Sequence, residues 1–226
     1  MASFDLQDDT VRNLNQALHE ESVSGSDVQV TNPNGKHSVA VGAMYPCEVN
    51  IEGHVGYYCA GMNQQASITV HGNAGSGCAE NMMSGSVRIK GNASQYCGAT
   101  AHGGLLIVEG DTSSRCGISM KGVDIVVGGS VGNMSGFMAQ AGRFVICGDA
   151  GDALGDSMYE ARIYVGGEVK SLGADCVEKP MEAEHQAELK ELLEQAGMGD
   201  QDIAKFKRYG SARKLYHFNI DHAGEY

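Results

Sequence analysis

The chain has 226 residues, a formal net charge of −12 and 42% hydrophobic residues. This acidity disfavours nucleic acids and anionic membranes as partners, because both attract clusters of Lys and Arg. The sequence has no run of 18 apolar residues, so it predicts no membrane-spanning helix, and no basic-then-apolar leader is visible at its start. We therefore expect a cytoplasmic protein in a reducing compartment, with its seven cysteines as free thiols.

The first part of the chain, residues 1–47, combines helix, turn and strand signals. Residues 5–20 place leucines among polar residues at the spacing of an amphipathic helix. The Asn-Pro-Asn-Gly sequence at 32–35 predicts a turn, and Val39 and Val41 predict a short strand. We expect this part to cap one end of the main body, because an open sheet end needs a cover.

The middle of the chain, residues 48–179, is a 19-residue repeat. Large apolar residues stand four and two positions before each repeated glycine, which is the spacing of side chains on one face of a strand. We expect each glycine to adopt a positive φ or to approach a neighbour closely. These structural glycines are Gly53, Gly72, Gly91, Gly110, Gly129, Gly148 and Gly167.

One strand in each repeat leaves no room for a crossover helix. Each unit must therefore return to its starting point, one strand further along. A left-handed helix built on a hexapeptide period would need a coil length that is a multiple of six, and the constant period of 19 argues against it. The sequence thus predicts an all-β solenoid, a right-handed parallel β-helix of about seven 19-residue coils with N- and C-terminal capping helices.

The last part, residues 180–226, is helical in composition. Residues 181–196 suit a helix that ends at Gly197, and residues 200–209 suit a second, shorter helix that ends at Gly210. We expect this tail to cap the other end of the solenoid.

Four cysteines follow their glycines by six residues and should stack on successive coils. They are Cys59, Cys78, Cys97 and Cys116. A four-thiolate zinc or iron–sulfur site is one interpretation. Coils ~4.8 Å apart would spread four sulfurs along a line, whereas one zinc ion needs all four within ~2.3 Å. The pattern therefore favours small buried residues, and we predict no metal ligands on this chain.

Other tempting patterns also have structural interpretations. The glycine cluster at 148–155 lacks the following helix that a dinucleotide fingerprint needs. The methionines Met82, Met120 and Met158 suit core filling. The histidines His54, His71 and His102 form no obvious ligand set. We predict no catalytic residue and no cofactor-binding residue on this chain.

The column three positions before each glycine should point outward. It is polar in the first three coils, at Asn50, Thr69 and Arg88, and apolar in the last four. An apolar stripe facing water is costly, so it should be covered, either by the chain's own terminal helix or by a partner protein. The resulting candidate interface consists of Ile107, Val126, Val145 and Tyr164.

The repeat body resembles the GXGXG-domain family, the C-terminal β-helix domain of the glutamate synthase large subunit. The resemblance covers most of the chain and includes the segments at 53–61, 71–75, 128–132 and 148–167. The segments at 15–18 and 208–213, which flank a free-standing domain, are similar to the stand-alone GlxC-like subunit of N-methylglutamate synthase.

The resemblance implies a non-catalytic structural subunit of a glutamate-synthase-like complex. N-methylglutamate synthase converts methylamine and glutamate to N-methylglutamate and ammonia. The implied partners, in a hetero-oligomer, are a glutamine-amidotransferase-like subunit and an FMN-binding glutamate-synthase-like subunit, with FMN and an iron–sulfur cluster expected on a partner. Here Ala2 follows Met1, so the N-terminal catalytic cysteine of the amidotransferase is absent.

Two alternatives remain at this point. The same domain could serve another complex, as the C-type subunit of formylmethanofuran dehydrogenase or as part of a glutamate synthase. The chain could also be an independent β-helix enzyme that acts on polysaccharides, because the column before each glycine offers Glu52, His71, Lys90 and Glu109. We interpret that column as a solvated face.

Overall fold

A computed structural model describes residues 2–215, which form a parallel β-solenoid of about seven turns. Seven strands repeat in the predicted phase and pair in chain order. They are β3 (Glu48–Glu52), β4 (Ser67–Val70), β5 (Ser86–Ile89), β6 (Leu105–Val108), β7 (Lys121–Val127), β8 (Ala141–Ile146) and β9 (Arg162–Val165). Paired residues are separated by one repeat throughout, apart from a bulge after Lys121. The all-β parallel solenoid is confirmed.

The interior of the solenoid is filled by the alternating residues of these strands. The predicted inward residues, from Val49 to Val165, are each at most 1% exposed. Beyond each glycine, small residues form a second ladder of parallel bridges, such as those from Val55 to Ala74 and from Ala74 to Ala93. The two ladders bound one narrow core that runs the length of the body.

The sheet starts earlier than the repeat predicts. Strands β1 (Ala2–Asp5) and β2 (Asp27–Thr31) add in parallel before β3. The only α-helix in the described N-terminal part, α1 (Val11–Leu18), is shorter than the predicted 5–20. Its Leu14 and Leu18 are fully buried in the core cluster, which suits an end cap.

The predicted strand at Val39 and Val41 is wrong. Residues 39–42 form turns, and the Val39 carbonyl accepts a hydrogen bond from the Ala60 amide. Val39 therefore takes the position in its coil that Cys59 takes in the next. The register joins Val28 of β2 to Val49 of β3, so the coil between these strands is longer than the repeat and lies outside its period.

The C-terminal part departs further from the prediction. Helix α2 (Ala183–Gln195) lies within the predicted helix, but the second predicted helix is wrong. Its residues form a single 3-10 turn, Ile203–Lys205, and then strand β11 (Lys207–Ser211). Strand β11 pairs antiparallel with both β9 and β10 (Cys176–Lys179). It therefore satisfies backbone groups that the last parallel strand would otherwise leave open.

The repeated glycines are required mainly by close approach. Only Gly53 of the seven has a positive φ. A Cβ atom on Gly110 would lie 2.1 Å from the Asn92 Oδ1 atom and 2.9 Å from the carbonyl oxygen of Gly91. Successive coils thus touch through backbone at this corner, and no larger side chain fits there.

A ladder of side-chain hydrogen bonds runs beside these glycines. The Oδ1 atom of Asn92 accepts from the Asp111 amide at 2.8 Å, and Asp111 in turn accepts from the Ser130 amide at 2.7 Å. The Ser130 Oγ atom extends the ladder by accepting a hydrogen bond from the Asp149 amide at 2.9 Å. The signal for this ladder was the run of Asn, Asp and Ser directly after the glycines, which sequence reasoning missed.

Within residues 2–215, neither α1 nor α2 has the length and hydropathy of a membrane-spanning segment.

Candidate functional site

The outward apolar stripe lies beneath helix α2. Its four residues are at most 3% exposed and share a second hydrophobic cluster with Leu189, Leu192, Leu193 and Ala196 of the helix and with Phe206. The helix therefore lies along the side of the solenoid rather than over its end. The apolar face of α2 and the apolar stripe bury each other, and this removal of apolar surface from water is the main contribution to the stability of the contact.

Glu188 anchors the helix to the strands below it. Its carboxylate accepts a hydrogen bond from the Tyr164 hydroxyl and lies 3.0 Å from the Arg162 Nη2 atom. Arg143, which also pairs with Asp124, approaches the same carboxylate at 3.9 Å. Burial, together with the neighbouring Glu188 carboxylate, raises the pKa of Tyr164 well above its usual value, so the phenol stays a donor at neutral pH.

Arg88 holds the other end of the helix. Both of its terminal nitrogens donate to the Ala196 carbonyl at 3.1 Å, and Nη1 also lies 2.9 Å from the Glu109 carboxylate. Carbonyl groups at the end of a helix lack intrahelical partners and carry partial negative charge. The last polar residue of the outward column therefore caps α2.

This arrangement corrects the candidate interface. Ile107, Val126, Val145 and Tyr164 are covered by the chain's own helix, the first of the two covers considered, and none of them is available to a partner while α2 is in place. The apolar pattern was a real signal, but it marked an intramolecular contact.

The cysteine column is buried as predicted. Cys59, Cys78, Cys97 and Cys116 are all fully inaccessible and reduced. A hydrogen bond with Cys78 and burial raise the pKa of Cys59 well above its usual value, and bonds with Cys116 and Cys78, together with burial, do the same at Cys97. Hydrogen bonds with Cys59 and Cys97 lower the pKa of Cys78. The Cys78 side chain is nevertheless fully buried in the core. Because nucleophilic attack and metal binding need an accessible thiolate, the column is poorly suited to either role.

The other predicted core positions are also internal. Met82, Met120 and Met158 are fully buried, which confirms their core-filling interpretation. Across the described range, no group of three or more His, Cys, Asp or Glu residues could hold a metal ion. The histidines His71 and His102 are exposed, and the His54 Nδ1 atom accepts a hydrogen bond from the Asn73 amide at the start of the glycine-side ladder.

The charged column before each glycine forms contacts between coils. The Lys90 Nζ atom lies 2.6 Å from Glu109 Oε1, and the His71 Nε2 atom lies 3.8 Å from Glu52 Oε1. Burial acts to raise the pKa of Glu109, but the hydrogen bonds and charges of Lys90 and Arg88 outweigh it, so that the pKa is lowered. The column is thus a partly exposed ladder of polar contacts between coils, as expected of a solvated face.

A cleft that sequence reasoning missed lies at the C-terminal end of the sheet. Its volume is about 360 Å³, and it opens between the start of α2 and strands β9, β10 and β11. Its lining residues are Tyr159, Glu160, Ala161, Arg162, Lys179, His185, Arg208, Gly210, Ser211 and Arg213. The wrong prediction of a helix at 200–209 hid this site, because only the strand pairing brings these residues together.

Exposed large apolar side chains are scattered over the described residues, and four of the eight lie in the N-terminal coils. Met44, Met62 and Met83 are 41–46% exposed, and Tyr57 is 52% exposed. Tyr57 also packs against the rings of Tyr58 and His37.

No protein-family model matches this chain. It is 58% identical, over 228 aligned residues, to Protein GlxC of Rhizobium meliloti (strain 1021), and the alignment covers 100% of both chains. Similarity at this level over the full length places both chains in one family with one fold, and it confirms the resemblance to GlxC-like proteins. The chain therefore belongs to the GlxC family.

Proposed function

We propose that this chain is a structural, non-catalytic subunit of a glutamate-synthase-like complex, and that the complex is N-methylglutamate synthase. In this proposal the solenoid braces an amidotransferase-like subunit and an FMN-binding synthase-like subunit. The chemistry, with FMN and an iron–sulfur cluster, belongs to those partners. The observation that carries the proposal is the full-length similarity to GlxC, combined with the repeat that resembles the glutamate synthase β-helix domain.

The architecture supports a bracing role. A stacked solenoid is stiff, because each coil is hydrogen-bonded to both neighbours, and its sides present long surfaces to other proteins. The ladders on both sides of the glycines and the anchored α2 add to this stiffness. The interior is filled by side chains, which leaves little room for a substrate within the body.

The chemistry of the cysteines supports the assignment of catalysis to partners. The thiols of Cys59 and Cys97 are buried, and their pKa values are raised. Burial also raises the pKa of the partly buried Cys147 to about 11. An amidotransferase nucleophile needs an accessible thiolate, and these three thiols do not offer one at neutral pH.

Affinity purification of the tagged chain from its native cells tests the proposal. We expect two larger proteins to co-purify, and the assembly to show flavin absorbance and turnover of methylamine with glutamate. The chain alone should be colourless and inactive. An unrelated acidic protein with the same tag is the control. Flavin colour or turnover in the purified single chain would contradict the proposal.

The alternative is the same role in a different complex, either formylmethanofuran dehydrogenase or a glutamate synthase. The fold supports this alternative equally, because bracing depends on the solenoid rather than on particular catalytic residues. Mass spectrometry of the co-purified proteins separates the first of these, because partners that carry molybdenum or tungsten would favour formylmethanofuran dehydrogenase. Amidotransferase-like and synthase-like partners without these metals favour N-methylglutamate synthase or a glutamate synthase, and turnover of methylamine with glutamate by the assembly then favours N-methylglutamate synthase.

A further inference from the structure

The C-terminal cleft is a concentration of positive charge on an acidic chain. Four of its lining side chains are cationic, namely Arg162, Lys179, Arg208 and Arg213, and its one carboxylate, Glu160, pairs with Arg213 at 2.7 Å. The whole chain carries a formal net charge of −12. This local reversal of sign needs an explanation, because the energetics of folding alone disfavours clustered like charges.

Two of these cations stand directly opposite each other. Lys179 of β10 and Arg208 of β11 are paired residues of the antiparallel ladder, so their side chains project on the same face. Like charges at such a position repel each other and destabilise the strand pair. Within residues 2–215, the Lys179 ammonium has no hydrogen-bond or ion-pair partner. The Arg208 Nε atom donates to the Pro180 carbonyl at 2.9 Å, and its terminal nitrogens have no hydrogen bond or ion pair within that same range.

The remaining walls add a cation and a buried donor. Arg162 stands at the edge of the cleft, held by Glu188 at 3.0 Å. The His185 side chain is only 9% exposed, and its Nδ1 atom accepts a hydrogen bond from the Glu182 amide at 3.2 Å. An Nδ1 atom that accepts carries no proton, so the ring N–H group is at Nε2. That atom is 3.6 Å from the nearest Glu184 oxygen, which is too far for a hydrogen bond.

We propose that this cleft binds a small organic or inorganic oxyanion, through its carboxylate or phosphate oxygens. Lys179 and the terminal nitrogens of Arg208 supply the charge-assisted hydrogen bonds, with Arg162 at the edge and the His185 Nε2–H group as a neutral donor. Guanidinium groups match carboxylate and phosphate geometry, and the cleft volume of about 360 Å³ suits a molecule of metabolite size. Bound anion would remove the repulsion between Lys179 and Arg208. The site stands whether or not the chain braces a synthase complex.

Thermal unfolding with inorganic phosphate or succinate as the probe tests this site. Both anions are titrated into the full-length chain at constant ionic strength, with sodium chloride as the reference. At about ten times the dissociation constant, a bound ligand should raise the Tm by about 3–6 °C. A response to phosphate alone assigns the site to phosphates, and a response to succinate alone assigns it to carboxylates. No rise above the chloride reference with either anion would overturn the proposal.

Lys179→Gln is the decisive variant, because the Lys179 ammonium has no hydrogen-bond or ion-pair partner among residues 2–215. Without anion we expect its Tm to equal or slightly exceed that of the wild type, because the repulsion from Arg208 is relieved. With anion we expect the rise to disappear. Lys190→Gln is the matched control, since Lys190 lies on the exposed side of α2, and it should keep the full response. An anion-dependent rise that survives in Lys179→Gln would overturn the proposal.

The His185 ring gives a second measurement that does not depend on stability. In nitrogen-detected NMR of the full chain, its Nε2 signal should shift as phosphate or succinate is added. The same titration of Lys179→Gln should leave that signal in place. A His185 signal that is unmoved in the saturated wild type would remove the ring from the site and overturn its proposed role as a donor.

Discussion

One column of outward residues divides the solenoid into two halves with opposite surfaces. In the first three coils the column is polar and faces solvent or other polar groups. In the next four it is apolar and lies under α2. Both halves pair in parallel at the interval of the repeat, apart from the bulge after Lys121. Their main difference is the polarity of the outward side chains, which therefore decides where the helix binds.

Arg88 marks the boundary between the halves. It belongs to the polar part of the column, yet it donates through two nitrogens to the carbonyl of Ala196, the residue directly after α2. The helix thus ends where the apolar residues of the column end, and Arg88, the last polar residue of the column, caps it. The comparison teaches that the same position in a repeat can be a solvated surface or a buried contact according to its cover.

The largest expected effect comes from a charge in the covered half. Val126→Asp places a carboxylate between the strands and α2, where Val126 is fully buried. We expect a loss of about 3–5 kcal/mol, the usual cost of an unpaired buried charge, with release of α2 and faster proteolysis on either side of it. Thr69→Asp makes a similar change in the uncovered half, beside Arg88, and should cost less than about 0.5 kcal/mol. If Val126→Asp and Thr69→Asp lose equal stability, the column is not divided into a covered half and a solvated half.

A smaller effect is expected from the anchor of α2. Glu188→Gln keeps the shape of the side chain but removes its negative charge. That charge faces Arg162, and the carboxylate that carries it accepts a hydrogen bond from the Tyr164 hydroxyl. Charged hydrogen bonds of this kind contribute about 1.5–3 kcal/mol, measured by denaturant unfolding. Glu194→Gln, on the exposed side of the same helix, is the control and should change stability by less than about 0.5 kcal/mol. If the two variants behave alike, the apolar contact alone holds the helix.

A substitution at Gly110, near the boundary at Arg88, tests whether the close backbone contact between successive coils is needed to keep the two halves aligned. Gly110→Ala brings a Cβ atom to 2.1 Å from Asn92 Oδ1, which must break the bond from the Asp111 amide or push the coils apart. We expect about 1–3 kcal/mol of destabilisation from this overpacking. Gly199→Ala is the control, because its Cβ atom would lie 3.3 Å from the flexible Glu194 side chain and at an ordinary 3.8 Å from the Glu194 Cα atom. An unchanged Tm in Gly110→Ala would show that the corner tolerates a side chain.

The smallest effect concerns pH. The folded pKa of Glu109 lies below its usual value of 4.5, so its ion pairs with Lys90 and Arg88 stabilise the fold above pH 4.5. This contribution is lost as the pH falls from 4.5 through the lower folded pKa. For so exposed a group it amounts to at most about 1 kcal/mol. Glu109→Gln should be less stable at pH 7 but converge with the wild type at low pH, and a constant difference would contradict the ion-pair explanation.

The repeat made most of the fold predictable. The constant spacing of the glycines and the apolar residues before each of them determine the strand positions and the inward faces. The spacing fails at β2 because the coil between Val28 and Val49 is longer than the repeat, so the extra strands at the start could not be found from the period. Strand β11 was mistaken for a helix because its polar residues, such as Lys207 and Arg208, lack the alternation of a half-buried strand.

The candidate site was less predictable than the fold. The stripe was visible in the sequence, but whether α2 or another protein covers it depends on how the chain returns after Pro180. The cleft was invisible, because Lys179 and Arg208 become neighbours only through the antiparallel pairing of β10 and β11. Residues that meet by tertiary pairing leave no spacing pattern in the sequence.

Helix α2 also limits how the chain can change its length. Its 13 residues measure about 20 Å, and the five strands from β5, whose Arg88 holds one end of the helix, to β9 span about 19 Å from first to last. A whole coil could be duplicated in the polar half without disturbing this match. A coil duplicated among the apolar ones would make the covered side longer than the helix and leave one row of apolar side chains in water. The length of α2 therefore limits the number of coils in that half of the solenoid.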